Sequence, residues 1–341
     1  MTSNRSVPTL YDVAKTAGVS TATVSRCLNS PEQVVEHTRK RVLEVVHQLG
    51  YTPNFGARAM AAKRTYTIGA VIPTMENAIF ARGLQAFQEE LRARGYTLLV
   101  SSSAYDPQIE EEQIRALIAR GADGLLLIGH DRTETVAEYL EKQGTPALAA
   151  WSFEEKGALP SVGFDNRRAM QALAEEVLAL GHQRIGVISG ITSGNDRARR
   201  RVEGIRDAVA GAGLAENCVT VVETPYDIAN GADAFATLMH AADRPTAVMC
   251  GNDVLAAGAL KAAREMGVCV PHDVSVTGFD DIELAGILSP SLTTVHVPHR
   301  EMGRKAAQAL MSMVQHGTSG KTALLETHVC LRGSLAAPGG L

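Results

Sequence analysis

Two groups of arginines in this chain of 341 residues could do recognisable chemistry. Arg26 follows a run of small polar residues, and its guanidinium can donate two parallel hydrogen bonds to O6 and N7 of a guanine. Arg197, Arg199, Arg200 and Arg201 form a dense cationic group, which favours an anionic ligand. The alternative for this second group is a solvated helix face that holds at least some of the four side chains.

Motifs for catalysis are weak. No GxGxxG follows the first predicted strand, and neither GxxxxGK[ST] nor GxSxG occurs. Asp280 and Asp281 have no histidine partner at a metal-ligand spacing, and the five cysteines lack zinc-site spacing. We therefore predict that the chain is not an enzyme and uses no metal or cofactor. Turnover of a sugar phosphate would revive the enzyme class.

The charge of the chain is divided unevenly. Residues 1–64 hold nine Lys and Arg against four Asp and Glu, whereas the remainder holds 24 against 33. A basic N-terminal module suits a DNA phosphate backbone, although a solvated basic face would have the same composition. No apolar run approaches the length of a membrane span, and the N-terminus lacks a signal peptide. These features predict a cytoplasmic protein, associated with the nucleoid when it is bound to DNA.

The basic module has the pattern of a helix-turn-helix. Thr9 and Asp12 have the spacing of a capping box, and Gly18 ends the first amphipathic helix. Ser20 can cap a second helix, whose N-terminal part would enter the major groove. A third helix over about 36–49 packs Val42, Val46 and Leu49 beneath this pair. One alternative is a three-helix domain that binds protein. A second is a ligand-binding module without DNA function, which is distinguished by whether residues 1–64 bind duplex DNA.

Beyond residue 66, short apolar runs alternate with helical patterns. This alternation predicts α/β units around parallel sheets, with ligands bound at the carboxyl ends of the strands. Glycines are expected to end the intervening helices at Gly95, Gly121, Gly144, Gly181 and Gly267. The predicted strands are Ile68–Ile72, Thr97–Ser101, Gly124–Ile128, Ile185–Ile188, Val219–Val222, Ala247–Cys250 and Val274–Thr277.

The segments LYDVAKTAGVSTATVSRCLN and YTPNFGARAMAAKRTYTIGAVIP resemble the lactose-repressor (LacI/GalR) family of transcriptional regulators. The resemblance implies a DNA-binding headpiece over 1–64 with a hinge helix at about 54–62. Met60 matches the position of the residue that this family inserts into the minor groove, where leucine is common; the alternative is packing between two hinge helices. The implied DNA-binding residues are Tyr11, Ser20, Thr21, Ala22, Thr23, Ser25, Arg26, Asn29, Asn54, Ala57 and Met60.

The resemblance continues through LGHQRIGVISG, RPTAVMCGNDVLAAGALKAA and VPHDVSVTGFDDIELAGILSPSLTTVHVP. It implies an α/β effector domain of the periplasmic-binding-protein type over 65–341, which also dimerises. Lobe one would span about 66–162 and 292–320, and lobe two about 163–291 and 321–333. The tail has no leucine heptads, so we expect a homodimer on operator DNA.

Candidate effector residues come from loops that match the family. For Trp151 and Tyr226 the alternative is core packing, and for Asp280 it is a helix N-cap. SVGFDN at 161–166 resembles gluconate-operon repressors within the family, which favours a sugar acid such as gluconate as the effector. The candidates are Asn77, Ile79, Phe80, Trp151, Arg197, Arg201, Tyr226, Asn252 and Asp280.

Overall fold

The structure is a computed structural model, and it describes residues 7–52, 64–76 and 78–339. Internal contacts divide the chain into two compact units, Met1–Thr65 and Tyr66–Leu341. The hinge helix predicted over about 54–62 lies outside the described residues. Four predicted site residues lie outside them as well, namely Asn54, Ala57, Met60 and Asn77.

The first unit contains three α-helices among its described residues: α1 (Leu10–Ala17), α2 (Thr21–Asn29) and α3 (Glu36–Leu49). The capping box is confirmed, because the Thr9 hydroxyl accepts a hydrogen bond from the Asp12 amide while Asp12 accepts one from the Thr9 amide. Gly18 has φ +63° at the end of α1, a left-handed conformation that glycine adopts without steric cost. The chain can therefore turn tightly from α1 into α2.

A small apolar core holds these three helices together. From α3 it buries Val42 and Val45, whereas Val46 and Leu49 are only partly buried at its edge. The prediction that Val46 and Leu49 point inward with Val42 therefore holds in part, and the rotation of α3 makes Val45 its second buried residue. The other buried members are Val13, Ala14, Ala17, Val24 and Cys27.

The second unit holds two parallel sheets and a short antiparallel ribbon among its described residues. The strands are β1 (Thr67–Ile72), β2 (Thr97–Ser102), β3 (Gly124–Ile128), β4 (Ala147–Ala150), β5 (Ser161–Gly163), β6 (Ile185–Gly190), β7 (Val219–Thr224), β8 (Ala247–Cys250), β9 (Ser275–Thr277), β10 (Thr294–His296), β11 (Ala323–Leu324) and β12 (His328–Cys330). The six-stranded sheet of lobe one has the order β11-β5-β4-β3-β1-β2, and the four-stranded sheet of lobe two has the order β7-β6-β8-β9. The ribbon is formed by β10 and β12.

Helices cover the faces of both sheets. All five helix-ending glycines expected from the sequence have positive φ, so the predicted turns from helix to strand are confirmed. The helices are α4 (Ala78–Ala93), α5 (Pro107–Ala119), α6 (Glu134–Gln143), α7 (Asn166–Ala179), α8 (Asp196–Gly211), α9 (Ile228–His240), α10 (Asp253–Glu265), α11 (Glu283–Ile287) and α12 (His299–His316).

The chain passes between the lobes later than predicted at its third crossing. Lobe two was expected to resume at about residue 321, but β11 pairs with β5 in the sheet of lobe one, and the Leu325 amide donates to the Gly163 carbonyl. The tail reaches lobe two only afterwards, where the Val276 amide donates to the Ser334 carbonyl. The crossing therefore follows Leu325, because the short edge strand β11 completes the first sheet before the chain leaves it.

Candidate functional site

One face of α2 is free to contact another molecule. The Ser20 hydroxyl caps the helix by accepting from the Thr23 amide at 3.1 Å, and Val24 and Cys27 are buried beneath it. Three predicted DNA-reading residues are exposed on the opposite side, namely Thr21, Ala22 and Arg26. The free amides and the positive end of the helix dipole favour a phosphate near the capped end.

Three further predicted DNA-binding residues of the described first unit, Tyr11, Ser25 and Asn29, are at least partly exposed. Tyr11 on α1 is 65% exposed, although its ring is large and apolar. Asn29 is exposed at the end of α2, and its amide donates to the half-buried Ser25 hydroxyl at 3.3 Å. These three side chains are available to a ligand rather than committed to the core.

A cleft of about 870 Å³ opens at the carboxyl ends of strands from both lobes. Loops that follow β1 and β2 form the wall from lobe one, and loops that follow β6 and β7 form the wall from lobe two, as expected for parallel α/β sheets. The lining residues include Thr74, Glu76, Tyr105, Asp106, Thr133, Ile191, Asn195, Tyr226 and Asp227.

Arg201 projects from α8 into the interior of lobe two and is 6% exposed. Its Nε donates to the Asn166 side-chain oxygen at 2.9 Å, and one terminal nitrogen donates to the Gly251 carbonyl at 2.6 Å. The guanidinium carbon lies 3.8 Å from the ring centroid of Phe279, a cation–π distance. Three neighbours therefore orient Arg201 and aim its other terminal nitrogen at Asp280, 3.7 Å away.

Asp280 is fully buried, yet neither of its carboxylate oxygens has a hydrogen-bond partner among the residues that the structure describes. Burial raises the pKa of this carboxyl to about 6, although Arg201 and Arg197 oppose the shift. The backbone at Asp280 has φ +103°, an uncommon conformation for a residue with a Cβ. An unsatisfied carboxylate in such a conformation is suited to accept hydrogen bonds from a ligand's hydroxyls.

The loop that carries Asp280 is fixed by the neighbouring α10. Asp253 accepts from the Ile282 amide at 2.8 Å and from the Thr294 hydroxyl at 2.6 Å, so it ties this loop to β10. Burial raises the pKa of Asp253 to about 8. Asn252 caps α10 through its oxygen, and its amide nitrogen has no partner within the described part of the chain. Asn252 thus combines a capping role with a free donor.

The alternative that Asp280 is a helix N-cap is wrong, because α11 begins at Glu283 and its cap position is Ile282. The Asp280 carboxylate therefore has no capping role and no hydrogen bond among the described residues that would account for its burial.

The arginine run divides between two environments. Arg197 is 8% exposed, donates to Asp196 at 2.9 Å and lies near the cleft. Arg199 forms a bidentate pair with Asp131 of lobe one, with both distances at 2.7 Å, and Arg200 reaches Glu203 on the outer face of α8. The solvated helix face expected for some of the four side chains is therefore found for Arg199 and Arg200, while Arg197 and Arg201 are buried.

Two tyrosines meet across the mouth of the cleft. Tyr105 of lobe one and Tyr226 of lobe two have ring centroids 5.6 Å apart, and Tyr226 bonds to the Asn195 side chain. Tyr105 was not among the predicted site residues. It directly follows β2, so the rule that selects residues after strand ends could have found it, and its φ of +61° turns it into the cleft.

Three predicted effector residues are packed into the core. Ile79 and Phe80 of α4 are 7% and 5% exposed, and Trp151 is 1% exposed. The rings of Phe80 and Trp151 contact edge-to-face at a centroid distance of 5.5 Å. Core packing, the alternative for Trp151, is therefore what its indole shows, and the Trp151 carbonyl accepts a hydrogen bond from the Asn166 side chain.

Within the described ranges, no group of three His, Cys, Asp or Glu side chains could hold a metal ion. A search of the same ranges finds no helix that is long and apolar enough to cross a membrane.

Comparisons with known proteins match both units. Residues 9–54 match the family model for bacterial regulatory proteins of the lacI family, and residues 174–335 match a periplasmic binding protein-like domain. Catabolite control protein A of Priestia megaterium is 32% identical over 91% of this chain and 93% of its own length. The ribose operon repressor of Haemophilus influenzae is 31% identical over 96% of this chain and 98% of its own length.

A solved structure of the lac repressor dimer, bound to operator and the anti-inducer ONPF, has a TM-score of 0.86 with this chain. It is 26% identical, and the match covers 97% of this chain and all of that one. The exposed face of α2 and the cleft between two α/β lobes thus occur together in a chain whose relatives are regulators along nearly their whole length. This chain belongs to the lacI family of bacterial regulatory proteins, as a DNA-binding transcriptional regulator with a periplasmic-binding-protein-like effector domain.

Proposed function

We propose that this regulator is a cytoplasmic repressor that binds a near-palindromic operator as a homodimer and responds to a sugar acid such as gluconate. The observation that carries the ligand assignment is the buried, unpartnered carboxylate of Asp280 beside Arg201. A carboxylate suits hydroxyl donors, and two inward arginines suit an acid group on the same ligand. We also propose that the chain catalyses no reaction, in line with relatives that are regulators.

For the DNA side, we assign operator binding to residues 1–64, with α2 in the major groove and Arg26 contacting a base. Ser20 and Thr23 are assigned to phosphates, because they lie at the positive end of the helix. Tyr11, Ser25 and Asn29 flank that face and complete the assigned surface. Two observations support this assignment. The face is exposed in this chain, and the similar lac repressor structure is a dimer bound to operator.

For the ligand side, the assigned contacts are Arg197, Arg201, Tyr226, Asn252 and Asp280. Tyr226 lines the cleft, Arg197 lines a smaller pocket that shares Tyr105 and Gly194 with it, and Arg201 lies beside Asp280. The name of the ribose operon repressor supports a carbohydrate-type effector. The two buried arginines, Arg197 and Arg201, favour an acid over a neutral sugar.

The operator assignment is tested with Arg26→Ala. An operator is first selected from random duplexes, and affinities for it and for random DNA are then measured by fluorescence anisotropy. Loss of a bidentate base contact should cost roughly 1–3 kcal/mol on the operator and relax sequence preference at one position per half-site. Arg206→Ala removes an equal charge from the exposed surface of α8 and serves as the control. Equal losses on both DNAs would make Arg26 a phosphate contact instead.

The ligand assignment is tested by calorimetry with potassium gluconate. Arg201→Ala removes a charge-assisted hydrogen bond worth about 1.5–3 kcal/mol, so affinity should fall at least about tenfold. Arg200→Ala is the matched control. Arg200 is the neighbour of Arg201 in sequence, and its side chain is 48% exposed on the outer face of α8. An unchanged affinity in Arg201→Ala would remove this residue from the site, and no binding to the parent protein would exclude gluconate.

A further inference from the structure

His299 is the first residue of α12 and is only 4% exposed. One ring nitrogen lies 3.3 Å from the indole nitrogen of Trp151, and the other lies 3.3 Å from the Asp280 backbone oxygen. The same second nitrogen is 3.9 Å from a carboxylate oxygen of Asp280. A single buried imidazole thus contacts Trp151 after β4 in lobe one and Asp280 after β9 in lobe two.

The partners of His299 fix which of its nitrogens carries the proton. An indole nitrogen can only donate, so Nδ1 of His299 must accept from Trp151. The proton then lies on Nε2, which donates to the Asp280 carbonyl. Burial lowers the pKa of His299 to about 3, so the ring is neutral at physiological pH. The imidazole therefore acts as a directional link, with one acceptor and one donor.

Trp151 is held firmly at its end of this link. Its indole packs so closely on α4 that a Cβ placed on Gly83 would lie 2.5 Å from Cζ2 of the ring. Phe80 contacts the same indole edge-to-face. The Trp151 backbone has φ +61°, which turns the side chain from the end of β4 into lobe one. Because the indole is closely packed, a displacement of the imidazole changes the hydrogen bond to the Trp151 indole nitrogen.

We propose that His299 is a positioning residue of the effector site, which orients the Asp280 loop and transmits changes at the Asp280 carboxylate to Trp151. This inference rests on the proposed function for the identity of the site. A ligand that satisfies Asp280 changes the charge and hydrogen bonding of the group next to Nε2, and the indole is the next polar group along the link. The emission of Trp151 then reports the state of the cleft.

The sequence makes this link measurable without an effector, because Trp151 is the only tryptophan in the chain. In the full-length protein, Asp280→Asn should shift the Trp151 emission maximum. His299→Gln can still accept from the indole and donate to the Asp280 carbonyl, so the shift should persist in that background. His299→Leu removes both hydrogen bonds, and the shift should disappear. The proposal would be overturned if Asp280→Asn shifted the emission equally in the parent protein and in His299→Leu, or if it caused no shift in the parent protein.

Two controls keep the result attributable to His299. His296→Leu changes a nearby histidine that bonds to Asp281 rather than to Asp280, and it should leave the Asp280→Asn shift intact. If the Leu variant fails to fold, as judged by circular dichroism, His299→Asn replaces it, since its shorter amide cannot reach both partners. Loss of the shift in the His296→Leu background would overturn the proposal.

Gluconate calorimetry separates this inference from the proposed function. His299→Leu removes the hydrogen bond to the Asp280 carbonyl and should weaken gluconate binding about threefold to tenfold. His299→Gln retains that bond and should bind gluconate as the parent does. If gluconate binds neither variant nor parent, the ligand assignment fails while the emission cycle still decides the role of His299. If gluconate binds equally to all three proteins and the emission shift is independent of His299, the positioning role is wrong.

Discussion

Replacing the buried carboxylate of Asp280 should make the ligand-free effector domain more stable. Asp280 is fully buried without a hydrogen-bond partner among the described residues, and burial raises its pKa from 3.8 to about 6. A carboxyl whose folded pKa is raised binds its proton more tightly in the folded state, so stability falls as pH rises between these two values. The ionised group therefore destabilises the folded domain by about 3 kcal/mol at neutral pH. Asp280→Asn has the same shape and no charge, and should recover most of this free energy.

The assay is urea unfolding followed by the emission of Trp151, which lies in the second unit and so reports that unit alone. Parent and Asp280→Asn should coincide at about pH 4, diverge up to about pH 6 and stay apart above it. Asp243→Asn changes an exposed carboxylate and serves as the control for charge alone. A variant less stable than the parent at pH 7, or a difference that does not change with pH, would refute the claim that an unsatisfied carboxylate is held in this site.

Two further predictions concern packing and the lobe contact. Gly303→Ala should destabilise the effector domain by ~1–3 kcal/mol, because the added Cβ would collide with the Gly83 carbonyl where α4 and α12 cross; Gly286→Ala, with no neighbouring atom within 4 Å, should not. Thermal unfolding of the two variants checks this, and equal midpoints would contradict it. Arg199→Ala should cost at most about 1 kcal/mol and less at high salt, because its pair with Asp131 is partly exposed. A large cost that salt does not reduce would show that this pair dominates lobe closure.

The long elements could be predicted from the sequence because their patterns are local. Each of the seven predicted strands exists, within two residues at either end, since short runs rich in apolar and β-branched residues between turn signals leave few alternatives. Five short strands were not individually predicted. β4 reads ALAA, a composition that favours helix, and β5, β10, β11 and β12 have two or three residues each, too few to show a period. Their pairing is decided by tertiary contacts.

The residues of the candidate site likewise fall into those that could be predicted from the sequence and those that could not. Arg201 and Asp280 lie in motifs that could be recognised, and their residue types suit ligand binding. Tyr105 could have been selected from its place in the loop after β2, but its residue type and that of His299 are not specific, because a tyrosine or a histidine in isolation has many uses. What distinguishes them is a contact with a residue far away in sequence, 121 positions for Tyr105 with Tyr226 and 148 for His299 with Trp151. Such contacts follow from the way the lobes close, which local patterns do not encode.

The late crossing after β11 has a consequence for synthesis on the ribosome. The helical unit is contiguous and is complete once residues 1–65 have emerged. Neither lobe can be completed so early, because the first sheet waits for β11 and the second lobe waits for the hydrogen bond between Val276 and Ser334. During most of translation the effector domain therefore exposes unpaired strand edges and unburied apolar faces, which are the features that make nascent chains prone to aggregate. Truncation of the last twenty residues should accordingly affect both lobes at once, while the DNA-binding helices remain folded.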